Sequence, residues 1–316
     1  MENQDNLILI DWFTCVFKHI DYHGVIDLLG LTGASFEKSD RGLRGYPERL
    51  MFNGINILYG GSSEMGVCLD MSGQGCRCFE SYTRFHWTDL LRYCLGAADD
   101  GDAHITRFDL AFDDHTGILD MQRILDDTDD GNYTSKSRWW MVEYGSEGSC
   151  VYFGSPKSNH RIRIYDKAAE RGYTDDTHWI RVEMQMRDSN ALECIRKCLD
   201  TMNVGEVFCG VLHNYLVFRN GSDDSNKSRW LITDYWEDLL NGAARISLWV
   251  SPGTEYNVFK MENWLVDQCG AAIRCYNDLF GLDELLNKIK VRNVRTSPKY
   301  ERLKQEAEHL RRRAKQ

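Results

Sequence analysis

Strand-like runs dominate the first two thirds of the chain. LILIDWFTCVF, RLMFNGINILYGG and MGVCLDMSG are rich in β-branched and aromatic residues and are bounded by turn residues, a pattern that predicts strands. Helical spacing first appears at YHGVIDLLGL and again at WTDLLRYCLGAA, where Thr88 or Asp89 is placed to cap the start. SGQGC, from Ser72 to Cys76, continues into RCFESY and reads as a turn joining strands. ITRFDLAFDD then reads as a strand, GILDMQRILDD as a helix, and SRWWMVEYG with SCVYFGS as the two arms of a hairpin around SEGS. HRIRIYDKAAERG begins as a strand and ends as a helix. WIRVEMQMR is a further strand, and NALECIRKCLDTM a helix capped by Ser189 or Asn190.

The remainder reads differently: a strand at HNYLVFRN, a polar loop GSDDSNKSRW, a helix DYWEDLLNGA, a strand RISLWV and then mostly helix. NWLVDQCGAAIRCYNDLFG and LDELLNKIK have helical spacing, and Ser297 with Pro298 supplies a cap and a first-turn proline for KYERLKQEAEHLRRRAKQ. Hairpin-joined strands with inserted helices predict an α+β fold on an antiparallel sheet. The expected regions are a sheet-based one over 1–205, a helix-richer α+β one over 206–286, and a basic helical tail over 287–316.

Parity assigns the faces of three strands, because alternate side chains share a side. In ITRFDLAFDD, Arg107, Asp109, Ala111 and Asp113 oppose Phe108, Leu110 and Phe112. In WIRVEMQMR, Arg181, Glu183, Gln185 and Arg187 oppose Ile180, Val182, Met184 and Met186. In RIRIYDK, Arg161, Arg163, Tyr165 and Lys167 oppose Ile162 and Ile164. A sheet with one wet face explains any one of these. The combination of carboxylates, cations and a phenol points further, to phosphoryl transfer, which needs a nucleophile, acidic groups for a divalent ion, and cations for phosphate oxygens.

Composition narrows the setting. No apolar run approaches the ~20 residues needed to cross a bilayer, and the N-terminus lacks a basic start followed by an apolar signal core. The eleven cysteines are odd in number, scattered and set among apolar residues, so they read as buried small side chains and not as disulfides or a zinc site. A cytoplasmic protein with no membrane partner is expected. The net charge of -10 disfavours nucleic acid if spread evenly, but it is not: from Lys288 onward eleven Lys and Arg face three Glu, a surplus of +8 that leaves -18 on the first 287 residues. This tail reads either as a contact to duplex phosphates or as a solvated helix of mixed charge.

Other chemistries lack their signatures. There is no GxxxxGK[ST] loop, no G-x-S-x-G elbow and no H-E-x-x-H, and His19 with His23 lack a companion glutamate in such a motif.

ITRFDLAFDD, VYFGSPKSNHRIRIYDKAAERG and WIRVEMQMR, in that order, with MSGQGCR upstream and FRNGSDDSNKSRW downstream, resemble the rolling-circle replication initiators of Gram-positive plasmids. Related relaxases of conjugative elements and their phage-borne counterparts share the pattern. The resemblance runs from about Ile8 to about Tyr276. It implies an HUH-nuclease-like fold without an H-x-H motif, with a nickase domain over 1–205 and a DNA-recognition region over 206–286. It also implies that Tyr165 attacks one DNA strand at an origin, stays linked to the 5′ phosphate and frees a 3′ hydroxyl for a polymerase. Arg163 and Lys167 would assist it. Asp109 and Glu183, with Asp113 third, would hold Mg²⁺ or Mn²⁺. Arg161, Arg181, Lys157, Ser158, Lys227 and Arg229 would contact DNA, and Trp139, Trp140, Tyr144 and Tyr152 either stack unpaired bases or pack the core. The implied partners are origin DNA, single-stranded at the nick, a host helicase and polymerase, and a second copy of the chain. Two alternatives remain open at this point: a relaxase for conjugative mobilisation, and a non-catalytic origin-binding protein of the same fold.

Overall fold

The apolar half of each alternating strand turns to one side of a ten-stranded sheet, and the helices collect on that side. In the computed structural model the described residues are 6–292, apart from 40, 63, 84, 146–147, 174–176 and 244–257. The first strands are β1 (Leu7–Phe17), β2 (Glu37–Ser39), β3 (Glu48–Phe52), β4 (Ile55–Tyr59) and β5 (Val67–Met71). β6 (Ala103–Asp114), β7 (Tyr133–Ser135), β8 (Trp140–Gly145) and β9 (Gly148–Phe153) follow. β10 (His160–Asp166), β11 (Ile180–Arg187) and β12 (Leu216–Phe218) complete the set. The sheet order is β2-β3-β4-β5-β1-β6-β11-β10-β9-β8, antiparallel throughout, while β7 and β12 form a separate pair. This is the α+β architecture on an antiparallel sheet that the alternation predicts.

The helices are α1 (Tyr22–Leu28), α2 (Gly73–Tyr82), α3 (Trp87–Asp99), α4 (Met121–Asp129) and α5 (Lys167–Glu170), then α6 (Asp188–Thr201), α7 (Val204–Tyr215), α8 (Asp234–Ala243), α9 (Val258–Phe280) and α10 (Leu282–Val291). Phe108, Leu110 and Phe112 of β6, Val182 and Met184 of β11, and Ile162 and Ile164 of β10 share one core with Leu91 of α3, Ile195 of α6, Phe208 of α7 and Trp236 of α8. Each such side chain contributes ~2 kcal/mol through removal from water. The chain divides into two compact units, 1–249 and 250–316. α7, β12 and α8 belong to the first, and α9 and α10 to the second. The expected strand RISLWV, the terminal helix and most of the basic tail lie outside the described residues. Among the described residues no helix is long and apolar enough to cross a membrane.

Two segments differ from their expected form. SGQGC opens α2 instead of joining strands, with Ser72 at the N-cap. Its glycines mask the helical signal and serve close approach: a Cβ on Gly75 would come within 2.4 Å of the Gly54 carbonyl oxygen. The second is HNYLVFRN, whose first three residues end α7 before β12 begins. Two glycines and several β-branched residues hide that helix, yet Val204, Val207, Phe208 and Leu212 bury one stripe of it and Asn203 caps it. The caps of α3 and α6 also shift, to His86 and Arg187, with Asp89 accepting from the His86 backbone N–H at 3.1 Å.

Asp114 ties the end of β6 to its surroundings. Its Oδ1 accepts from the backbone N–H groups of Thr116 and Gly117 at 3.0 and 3.2 Å. Its Oδ2 accepts from Leu119 N at 2.7 Å and from His178 Nε2 at 2.9 Å. Burial opposes the charge, but His178 and these amides outweigh it and hold Asp114 down at about 2, while Asp114 raises His178. The carboxylate's contribution is therefore complete above the unfolded value of 3.8 and is lost as pH falls through about 2. That of His178 is complete below 6.5 and is lost as pH rises through its higher folded value. Asp114→Asn is expected to cost ~2 kcal/mol in denaturant unfolding at pH ~5, where His178 carries its charge, and the loss should shrink as pH rises through the raised value of His178.

Candidate active site

The opposite face of the sheet carries the predicted chemistry. Pairing of β10 with β11, β11 with β6, and β6 with β1 sets its residues in rows. One row runs Tyr165, Arg181, Asp113; the next runs Arg163, Glu183, Ala111; a third runs Arg161, Gln185, Asp109, Trp12. The parity read from three isolated strands thus becomes one surface.

Arg181 lies at the centre of the first row and is 5% exposed. Its Nε and Nη2 donate to the two carboxylate oxygens of Asp113 at 2.6 and 2.7 Å, and its Nη1 donates to Asp11 Oδ1 at 2.8 Å. Arg181 outweighs the effect of burial on Asp113 and keeps that carboxyl below its ordinary value. Arg181 was expected to contact DNA; it is instead a buried, neutralised guanidinium. Asp109 is closed in a similar way, with Arg107 Nε and Nη2 donating to its Oδ2 at 2.9 and 2.5 Å. The Arg107 guanidinium also stacks 3.9 Å from the centre of the Trp12 ring. Burial, aided by nearby Glu183 and Asp11, still pushes Asp109 up to about 8.

Tyr165 holds the last position but one of β10, because Asp166 caps α5 through Ala169 N at 2.8 Å and so turns the strand into a helix. Its hydroxyl donates to Glu183 Oε2 at 3.4 Å, and the Arg163 guanidinium covers its ring at 4.0 Å. The phenol is 3% exposed, and burial, then Glu183, push it well above its ordinary value. Arg163 donates to Cys150 Sγ at 3.3 Å and faces Glu170 and Glu183 at 3.8 and 3.9 Å. Lys167 is buried on α5, paired with Glu170, with its ammonium 5.3 Å from the Tyr165 ring. Burial lowers its pKa.

Tyr165, Arg163, Lys167 and Glu183 are therefore brought together, with Asp113 one strand farther behind Arg181. The turn bearing Lys157 and Ser158 precedes β10: Lys157 is exposed, and Ser158 Oγ pairs with Ser155 Oγ at 3.0 Å. Lys227 and Arg229 sit on an exposed 3-10 turn beside β7, where Lys227 donates to Gly131 O at 2.5 Å and Arg229 faces Asp224 at 3.5 Å. Neither contact reaches the tyrosine.

Asp11 is the residue that sequence reasoning missed. It falls in a register shift of β1, between Ile10 and Trp12, and the shift lets its carboxylate join the polar face. Gly73 makes room for it, since a Cβ there would lie 2.8 Å from Asp11 Oδ1. The available signal was a lone carboxylate in the apolar run LILIDWF.

A divalent ion does not fit the expected trio as arranged. Asp109 and Asp113 have their oxygens committed to arginine forks, and among the described residues no group of three Asp, Glu, His or Cys side chains converges to hold a metal. The carboxylate oxygens with the loosest contacts are those of Glu183, which burial, with Asp11 nearby, pushes up.

The family model for the replication initiation factor matches residues 103–290, and that for the N-terminal domain of rolling circle replication initiation proteins matches residues 7–93. The chain is 25% identical over 284 residues to a protein of Bacillus subtilis (strain 168) provisionally named DNA relaxase NicK, over 84% of this chain and 79% of that one. The rolling circle replication initiator protein from Geobacillus stearothermophilus shares the fold with a TM-score of 0.69 and 29% identity, over 77% of this chain and 98% of its own.

Removing one partner of a buried pair leaves the other charged in a dry site. Asp113→Ala is thus expected to destabilise the protein by ~3–5 kcal/mol, and Lys157→Ala on the exposed turn by less than ~0.5 kcal/mol, in denaturant unfolding.

Proposed function

Because the chain belongs to the replication initiation factor family, we propose that it is a DNA nickase and strand transferase of the rolling-circle initiator and relaxase type, acting through Tyr165. The observation that carries this reading is the Tyr165 hydroxyl in contact with Glu183 at 3.4 Å beneath the Arg163 guanidinium. A phenol is a weak nucleophile at neutral pH and needs a proton acceptor and nearby positive charge. Glu183 offers the first, and Arg163 the second.

In the proposed step the Tyr165 oxygen bonds to phosphorus, the bond from phosphorus to the 3′ oxygen breaks, and that oxygen takes up a proton to become a free 3′ hydroxyl. The phenol proton leaves towards Glu183. A phosphate entering above Tyr165 exchanges the weak contacts of Arg163 with Glu170 and Glu183 for a charge-assisted fork on its own oxygens. Since the enzyme keeps the phosphodiester energy in a tyrosyl bond, strand rejoining needs no nucleotide cofactor. A requirement for a divalent ion belongs to the proposal as a point to be tested, and no step here is routed through it.

The second reading, a relaxase for conjugative transfer, shares this chemistry and is favoured by the relative provisionally named a relaxase. A non-catalytic origin binder would leave DNA intact.

The test is a denaturation-resistant protein–DNA adduct, formed with single-stranded candidate-origin oligonucleotides and Mn²⁺. Wild-type protein is expected to form it and Tyr165→Phe to form none; an adduct with Tyr165→Phe overturns the assignment. Arg163→Ala should slow single-turnover cleavage ~100-fold, the usual scale for one donor to a developing charge. Because the phenol is raised, little of it is ionised at neutral pH, and the cleavage rate should climb with pH between about 7 and 9. EDTA settles the ion: loss of the adduct supports it and retention removes it.

A further inference from the structure

Five arginines extend over the polar face of β6, β10 and β11. Three of them meet a carboxylate, Arg107 at Asp109, Arg163 at Glu183 and Arg181 at Asp113, and Arg187 lies against the side-chain amide of Gln185. Arg161 meets neither kind of partner. Among the described residues it makes no ion pair and no hydrogen bond, and its Nε is buried without a partner. Its guanidinium instead lies 4.0 Å from the centre of the Tyr152 ring and 6.0 Å from that of Trp139. Arg163 continues the series, 5.8 Å from Tyr152 and 4.0 Å from Tyr165. Aromatic rings and guanidinium planes therefore alternate from the edge of the sheet inward to Tyr165.

The outer end of this series is open. Trp139 is 38% exposed immediately before the edge strand β8, and its carbonyl is fixed by Gly154 N at 2.9 Å. A half-buried guanidinium without an anion is costly in a chain with 48 acidic residues to draw on, so the missing anion points to a ligand. An exposed indole beside a flat, unpaired cation matches unstacked nucleobases and the phosphates between them; the base faces of a duplex are already covered.

We infer that Trp139, Arg161, Tyr152 and Arg163 form a track for single-stranded DNA, in which Arg161 takes a phosphate and Trp139 stacks an unpaired base beside the reacting position. Arg161 and Tyr165 are four residues apart on one strand, about 13 Å, which corresponds to at most about four stacked nucleotides. The track thus holds the strand within a few nucleotides of the bond to be cut. This inference rests on the reading of Tyr165 as the nucleophile.

The test is equilibrium binding of full-length protein to fluorescein-labelled oligo(dT) in EDTA, in a Tyr165→Phe background so that no strand is cut, with thermal melts to show that each variant is folded. Arg161→Ala is expected to weaken binding about tenfold and to reduce the slope of log affinity against log salt by roughly 0.7, one phosphate contact fewer. Arg161→Lys should restore the slope but not the full affinity, because the charge stays and the flat fork is lost. Trp139→Ala should weaken binding about tenfold with the slope unchanged. Affinity for duplex DNA of equal length should change little in all three. Oligo(dT) binding that survives both alanine substitutions, or losses that are equal for single strands and duplex, would overturn the track. The adduct assay reports separately on the nucleophile: an adduct that persists in Tyr165→Phe removes that reading and leaves the binding result intact.

Discussion

One guanidinium, buried between two aspartates, governs the polar face of the sheet. Arg181 bridges β11 to Asp113 on β6 and to Asp11 on β1, and its cross-strand neighbour on the other side is Tyr165. Dehydrating that charge is tolerable only because both partners sit at short, well-directed distances. A slip of β11 by one residue would set Val182 among the carboxylates and Arg181 in the apolar core, so the ion pairs and the core specify the same register. With the register fixed, Arg163 must face Glu183, and Tyr165 must end its strand beside both.

The arginines on this surface then divide by how firmly they are held. Arg181 and Arg107 are locked in short forks and act as structure. Arg163 keeps its acidic neighbours at 3.8 and 3.9 Å, and Arg161 makes no ion pair among the described residues, so these two are free to exchange their contacts for phosphate. In the described state Tyr165 is buried beneath Arg163 and its phenol is held un-ionised. The proposed reaction accordingly begins with DNA drawing Arg163 aside, and substrate binding and exposure of the nucleophile become one event.

Much of this was legible in sequence because period-two alternation is a direct consequence of strand geometry. Arg107, Asp109 and Asp113, Arg181 and Glu183, and Arg163 with Tyr165 were assigned to a polar face strand by strand, and the sheet joins them. What alternation could not reveal is which strands are neighbours, and so which charges cancel: Arg181 read as a DNA contact and is an internal counter-ion. Nor could it reveal Asp11, since a register shift breaks the very periodicity used to read β1. α2 and α7 were obscured by glycines and β-branched residues whose helical state depends on burial against the sheet, a tertiary effect that local propensity does not contain.

In the proposed reaction one phenol, that of Tyr165, becomes bonded to DNA. The most direct measurement is to trap the adduct on an origin oligonucleotide, digest it with trypsin and nuclease, and locate the nucleotide-bearing peptide by mass spectrometry. The modification is expected on the short fragment Ile164–Lys167, which contains Tyr165 alone among tyrosines. Nucleotide found instead on the fragment Trp139–Lys157, which carries Tyr144 and Tyr152, would contradict it.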